Sequence, residues 1–253
     1  MNRKIKIKAI LVNIKIFFGI KRHSYLDSKE TIDYVLAHNK SLIRWGDGET
    51  SIVLGNSICF QKADEDLARR LYEVLKSYDE SSKYLFGAPN LYLEASLISL
   101  LKIKKARTWF YTRYLIEKTC KKPVVFGDAF TFRPLSPLEN DYIEKLWIGH
   151  NVIFVHSNEE YYKDFVTKYP DIRSDFVAID AENAYSHIAK TMEEIKDTIR
   201  DNMFEKDNTK ILIVAGPAAR VLAYDLSMMG YTAYDMGHYF HWKFLGISNE
   251  KGI

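Results

Sequence analysis

Cysteine is scarce in this 253-residue sequence: Cys59 and Cys120 are the only two, far apart, with no CxxC pair and no zinc pattern. A reducing cytosol fits that usage. No arginine-rich block with interleaved aromatics occurs, and a net charge of +3 is too small to argue for nucleic acid as a partner. Neither a Walker A loop nor GxGxxG is present, so ATPase and dinucleotide readings lack their motif. Internal repeats of about 20–50 residues and low-complexity linkers are also missing. One domain is therefore expected over 27–253.

Residues 1–26 hold no acidic side chain but seven basic ones (Arg3, Lys4, Lys6, Lys8, Lys15, Lys21, Arg22), interleaved with isoleucine, leucine and phenylalanine. The uncharged run from Ala9 to Ile14 is too short to span a bilayer, and Lys15 interrupts its continuation. Asn13 and Lys15 spoil the apolar region that a secretory signal needs. Two readings stay open: an interfacial helix on an anionic membrane face, with contact through residues 1–24, or a helix docked on its own domain or on a homo-oligomer partner.

Beyond this segment, short apolar runs alternate with amphipathic stretches. Asp27-Ser28-Lys29-Glu30 reads as a capping box that opens a helix through about His38. A second helix is expected over Asp64 to Tyr78, burying Leu67, Leu71, Val74 and Tyr78, and further ones near Leu91–Leu101, Lys105–Lys118, Leu138–Trp147, Glu159–Tyr169, Ser186–Arg200 and Ala218–Met229. Strands are expected at Ser41–Arg44, Ser57–Phe60, Tyr84–Ala88, Val124–Phe126, Val152–His156, Phe176–Ile179, Ile211–Ala215 and Thr232–Met236. Their apolar runs are continuous, which implies burial on both faces and a mainly parallel sheet. The class is α/β, doubly wound and Rossmann-like. Ligands of such sheets sit beyond the carboxyl ends of the strands.

Polar or glycine residues follow those ends. Asp47-Gly48-Glu49 comes after the first apolar strand, with Arg44 just upstream. Two carboxylates spaced i and i+2 suit Mg²⁺ or Mn²⁺, hard cations that commonly share one or two carboxylates with a substrate's phosphates. Asp-Gly is equally a hairpin-turn dipeptide. Gly216-Pro217 begins a helix directly after a strand, where N–H groups and the helix dipole can take a phosphate. His238 closes Asp235-Met236-Gly237-His238, as a metal ligand, a diphosphate contact or a proton shuttle, or as a histidine bonded to a nearby loop. His241-Trp242 could line an acceptor pocket or pack the C-terminal tail. Asn183 could read a base or ribose, or simply cap a helix. Arg133 offers a cation to a diphosphate or an acceptor, or forms a surface salt bridge.

Taken together, Arg44-Trp45-Gly46-Asp47-Gly48-Glu49, Thr131-Phe132-Arg133-Pro134, Ala181 to Tyr185, Gly216 to Leu226 and Asp235 to His238 resemble the GT-D-type glycosyltransferases, a bacterial family once known as a domain of unknown function. The resemblance spans roughly Leu36 to Phe244. It implies a GT-D-type Rossmann-like domain that binds a UDP-sugar and a divalent metal (Mn²⁺ or Mg²⁺) through an Asp-x-Glu motif, here Asp47 and Glu49. It also implies transfer of glucose to a growing glycan, glycoprotein or lipid-linked acceptor in surface glycoprotein or polysaccharide synthesis. Catalytic roles then fall to Asp47, Glu49 and His238, and donor contacts to Arg44, Gly48, Arg133, Asn183, Gly216 and Pro217. The expected place is the cytoplasm, at or near the inner membrane face.

Two positions depart from the family pattern: Ala218-Ala219-Arg220 replaces a Thr-Ala-Thr-like run, and Tyr239 to Lys243 replaces acidic residues after Gly-His. The second change leaves acceptor and donor sugar open. For an inverting reaction, Asp128, Glu182 and His238 are the candidate bases. A nucleotide-sugar hydrolase or phosphoryl-transfer enzyme, and a non-catalytic scaffold of a polysaccharide assembly complex, are the alternatives.

Overall fold

A computed structural model describes residues 14, 23–102, 106–120, 122–133 and 138–244. The basic helix expected near the N-terminus thus lies outside the described residues, except for Ile14 and residues 23–26. Pro134 lies outside them too.

The described strands are β1 Ser24–Tyr25, β2 Ser41–Arg44, β3 Tyr84–Ala88, β4 Val125–Asp128, β5 Asn151–His156, β6 Ser174–Ala178, β7 Thr209–Ile213 and β8 Thr232–Asp235. They form one sheet in the order β1-β4-β3-β2-β8-β7-β5-β6, with every neighbouring pair parallel. The α-helices are α1 Ser28–Ala37, α2 Asp47–Val53, α3 Glu65–Lys76, α4 Asn90–Leu93, α5 Leu97–Leu101, α6 Ala106–Thr119, α7 Asn140–Glu144, α8 Glu160–Lys168, α9 Ile188–Asp201, α10 Ala218–Met228 and α11 Tyr239–Phe244.

Period-two alternation along a strand sends successive side chains to opposite faces. In β2, Leu42 joins one core cluster and Ile43 the other; in β7, Leu212 faces Ile211 and Ile213 across the sheet in the same way. All of these side chains are buried, which is why the strands read as unbroken apolar runs. The capping box is realised: Asp27 Oδ1 accepts from the Glu30 N–H (2.8 Å) and Glu30 Oε2 from the Asp27 N–H (2.9 Å). Such a cap is worth about 1 kcal/mol. Helix α3 is capped by Asp64 and buries Leu67, Leu71 and Val74, with Tyr78 buried just beyond it.

Several local expectations change. Ser57–Phe60 is not a strand; only an antiparallel bridge joins Ile58 to Gln61. The Leu91–Leu101 stretch divides into α4 and α5, because Ser96 Oγ accepts from the Ser99 N–H (3.0 Å) and starts a new helix. Strand β1, too short for any periodicity, adds an edge beside β4. Helix α11 is also new, its Tyr239 and Phe240 packed into the cluster that holds Leu42 and Phe154.

After β2 the chain packs Ile52, Leu67 and Leu71 on one face of the sheet, whereas after β8 it packs Tyr239 and Phe240 on the other. Neighbouring strands whose connections leave in opposite directions open a crevice at their carboxyl ends. Arg44 to Glu49 and Asp235 to His238 stand at that crevice.

Candidate active site

Asp47-Gly48-Glu49 forms the first turn of α2, not a hairpin, with Gly46 as the N-cap. Glu49 reaches back so that its Oε2 accepts from the Gly46 N–H at 2.7 Å, the acidic half of a capping box; glycine has no side chain for the reciprocal bond. Its other oxygen lies 3.1 Å from Arg220 Nε, and the side chain is buried. Asp47 is half-buried at the helix start. Both carboxylates sit at the positive end of a helix, which favours negative charge there.

Arg44, at the end of β2, is buried. Its Nε donates to the Asp235 carbonyl (2.8 Å), its Nη2 to Asp235 Oδ1 (3.2 Å) and its Nη1 to the Ala129 carbonyl (3.0 Å). The guanidinium also lies over the Phe132 ring, 5.3 Å from its centre. Asp235 is wholly buried and also accepts from the Gly237 N–H (3.1 Å). Arg220, from α10, joins in: its Nε is 2.9 Å from the Arg44 carbonyl oxygen and 3.2 Å from Asp235 Oδ2, and its Nη1 donates to the Gly216 carbonyl. Two arginines and two carboxylates thus neutralise one another in the crevice. Removing one member of such a set strands a buried charge, at a cost of about 3–5 kcal/mol.

Beside this network, at the ends of β5, β7 and β8, lies a cleft of about 380 Å³ whose lining includes Phe60, His156, Tyr161, Asp180, Gly216, His238 and His241. Gly216 takes φ +52°, and a Cβ there would lie 2.6 Å from the Phe60 ring, so glycine is what lets loop and ring meet. The N–H groups that open α10 are already engaged: Ala218 donates to the Ala215 carbonyl (3.2 Å) and Ala219 to that of Gly216 (3.1 Å). That corrects the expectation of exposed donors after Pro217. What this helix end offers an anion is its dipole.

His156 Nδ1 lies 2.9 Å from the Asn158 amide nitrogen and accepts its proton, which places the ring proton of the neutral imidazole on Nε2. Burial, reinforced by His238 and His241, pushes its pKa down to about 4. His238 meets Phe60 edge-on at 6.1 Å and Trp242 at 5.6 Å. Burial, then the charges of Arg44 and Arg220, lower its pKa, so the ring is neutral at neutral pH and can accept a proton. His241 Nδ1 pairs with the Tyr161 hydroxyl at 2.7 Å.

Arg44, Glu49, Gly216, Pro217 and His238 are therefore brought to one crevice, with Asp47 and Gly48 at its β2 side. Asn183 is not part of the cleft lining; it takes φ +53° and ties down the loop beside it, its N–H donating to the Phe60 carbonyl (2.8 Å) and its Oδ1 accepting from the Lys62 N–H (2.8 Å). Its side chain makes no cap bond. Arg133 lies elsewhere, over the Phe130 ring at 4.6 Å, in a second cleft with Asp128. Glu182 is exposed and is not among the lining residues of either cleft. Lys243, in the stretch that departs from the family pattern, turns away to Glu144 (2.6 Å) and the Tyr169 hydroxyl (2.7 Å). Arg220 was missed as a site residue. Its signal was available in the sequence: an arginine one turn after a Gly-Pro helix start points back at the rim.

Among the described residues no three His, Cys, Asp or Glu side chains converge as a ready metal cage. The donor chemistry still fits Mg²⁺ or Mn²⁺. Those ions keep several waters and take one or two carboxylates plus phosphate oxygens, and each Glu49 oxygen retains a lone pair beyond its present bond.

Among solved structures, a domain of unknown function 1792 described as having a distinct glycosyltransferase fold superposes with TM-score 0.70, at 21% identity, covering 97% of this chain and 88% of that one. A second, a new glycosyltransferase of the same domain type from Streptococcus sanguinis, gives TM-score 0.64 at 25% identity, over 92% of this chain and 88% of that one. The chain is 28% identical over 243 residues to a probable glycosyl transferase, Gly, of Streptococcus gordonii, covering 90% of this chain and 34% of that protein. It is 24% identical over 237 residues to the glycosyltransferase GlyD of Streptococcus pneumoniae serotype 4, covering 87% and 28%. The chain thus spans about a third of the length of these two relatives. The sequence pattern of the glycosyltransferase GT-D fold matches residues 42–242, from the middle of β2 to within α11, and on that match the chain belongs to the GT-D glycosyltransferase family.

Proposed function

We propose that this domain transfers a hexose, glucose first, from a UDP-sugar to a glycan acceptor in the synthesis of bacterial surface glycoprotein or polysaccharide, with a divalent metal. The observation that carries this reading is the meeting of the Asp47–Glu49 helix start, the Arg44–Asp235–Arg220–Glu49 network and the histidine-lined cleft at one sheet edge. The streptococcal relatives named as glycosyltransferases support it.

Asp47, with the remaining lone pairs of Glu49, would hold Mn²⁺ or Mg²⁺. The cation would supply Lewis-acid neutralisation of the diphosphate leaving group. The donor would occupy the cleft between His156 and Gly216, where the three imidazoles and the α10 dipole tolerate an anion. Phe60 and Tyr161 offer ring faces to the nucleoside. Arg220 links Glu49 to Gly216, so the carboxylate and the cleft wall hold one fixed relation. His238, neutral and lining the cleft, would accept the proton of an incoming hydroxyl. We place the domain in the cytoplasm. Among the described residues no helix is long and apolar enough to cross a membrane, and contact through residues 1–24 remains part of the proposal.

Calorimetry with UDP, with and without Mn²⁺, tests this reading. Metal-dependent UDP affinity that disappears in Asp47→Asn is expected. UDP affinity indifferent to metal and to that substitution overturns the metal assignment, and free sugar as the sole product in the presence of acceptor points to a hydrolase.

A further inference from the structure

A second cleft, of about 430 Å³, opens on the same edge of the sheet at the ends of β1, β3 and β4. Its chemistry is the reverse of the first. Asp27, Glu30, Glu94 and Asp128 line it against a single guanidinium, Arg133, whereas Asp180 is the one carboxylate in the histidine-lined cleft. Four carboxylates repel a nucleoside diphosphate and suit a neutral ligand rich in hydroxyl donors.

Aromatic rings supply the other half of such a site. Tyr92 stacks on Trp109 at 4.0 Å and meets Phe130 edge-on at 5.7 Å, so both rings are held rigid beside the cleft. Asp128 is oriented by Ser28 Oγ (2.6 Å) and by the Phe130 N–H (2.8 Å), and each of its oxygens keeps a lone pair. Asn90 donates through Nδ2 to the Leu26 carbonyl (2.7 Å), but its Oδ1 is buried without a hydrogen-bond partner. A buried acceptor with nothing to accept from is uncommon in a folded protein, and a ligand hydroxyl would satisfy it.

Arg44 ties together the chain beyond two strand ends, bonding the Ala129 carbonyl just after β4 on one side and Asp235 of β8 on the other. Strands β3 and β2 separate β4 from β8. The two clefts therefore open over different strands of one sheet edge.

We propose that this second cleft is the acceptor subsite, binding a neutral saccharide through the Phe130 and Tyr92 rings, Asp128 and Asn90. The inference rests on the glycosyl-transfer reading above and extends it to the second substrate. It gives Arg133 a place on the acceptor side, not against the diphosphate.

The test is binding to the full chain by calorimetry, with maltotriose and N,N′-diacetylchitobiose as glycan probes and UDP with Mn²⁺ as the donor probe. Two variants are compared with wild type. Phe130→Ala removes a ring face, and Leu91→Trp fills the cleft from a position that is 68% exposed, where no core is disturbed. At least one glycan should bind wild type and lose about fivefold or more in affinity in both variants, with UDP affinity unchanged. Wild type that binds neither glycan, or variants that bind as wild type does, overturns the acceptor subsite. Glycan binding that behaves as expected, with no UDP binding by wild type, counts against the donor reading and leaves this cleft standing.

Discussion

Gly237 is a glycine because Arg44 occupies the space a side chain would need. A Cβ at 237 would lie 2.0 Å from Arg44 Nη2, and the backbone there has φ +57°. Gly237→Ala should therefore displace the guanidinium from Asp235. The cost should approach that of breaking a buried ion pair, about 3–5 kcal/mol. Urea unfolding measures it, and a loss below 1 kcal/mol would contradict this account of the crevice.

Asp47 and Glu49 should behave differently although they share a motif. Glu49→Gln leaves Arg220 short of a buried counter-charge, so stability should fall by about 3 kcal/mol along with activity. Asp47 is half-buried at the helix start, and Asp47→Asn should change stability by less than about 1 kcal/mol while abolishing metal-dependent UDP binding. Parallel unfolding and calorimetric titrations of the two variants separate the carboxylate that also neutralises Arg220 from the one that only ligates.

His156 predicts a pH dependence of stability. Its folded pKa, about 4, lies below the ordinary 6.5, so the unfolded chain binds the extra proton first as pH falls. The stabilisation is complete above pH 6.5 and drains away between there and pH 4, by about 3 kcal/mol at most. His156→Gln should flatten the stability curve over that window. A variant whose curve retains the wild-type slope would show that another group titrates there.

Glu144 anchors α11 through Lys243. Burial opposes its charge, but Lys168 and Lys243 hold its pKa down to about 2. Glu144→Gln should leave Lys243, whose side chain is 4% exposed, without its counter-ion and cost about 3 kcal/mol. UDP affinity should not change, because this cluster lies away from the crevice. The stability loss is read by thermal unfolding, the affinity by titration.

Much of this architecture was readable from residue order. Apolar runs such as Val152–His156 and Ile211–Ala215 announced a sheet buried on both faces, and Asp27 with Glu30 announced a helix start to the residue. Asp47-Gly48 left the local structure open, since the same dipeptide opens a hairpin or a helix and only Glu49, reaching back to Gly46, decides. Strand β1 offers two residues, too few for a period, and exists because β4 presents an open edge. The Arg44–Asp235 pair could not be read from either segment alone, because the aspartate arrives from β8, 191 residues later. Charge sorting between the two clefts was equally hidden, because Asp27, Asn90 and Asp128 converge only when β1, β3 and β4 align.

That late arrival has a consequence for biosynthesis. Arg44 and Asp235 are 191 residues apart in the chain. At about 5–20 residues per second, a ribosome needs roughly 10–40 s to deliver the aspartate after the arginine has emerged. Until then the guanidinium lacks the buried carboxylate it pairs with, and strand β2 lacks its β8 neighbour. The crevice therefore cannot close before β8 has been made, and a fragment ending before residue 235 should not form it.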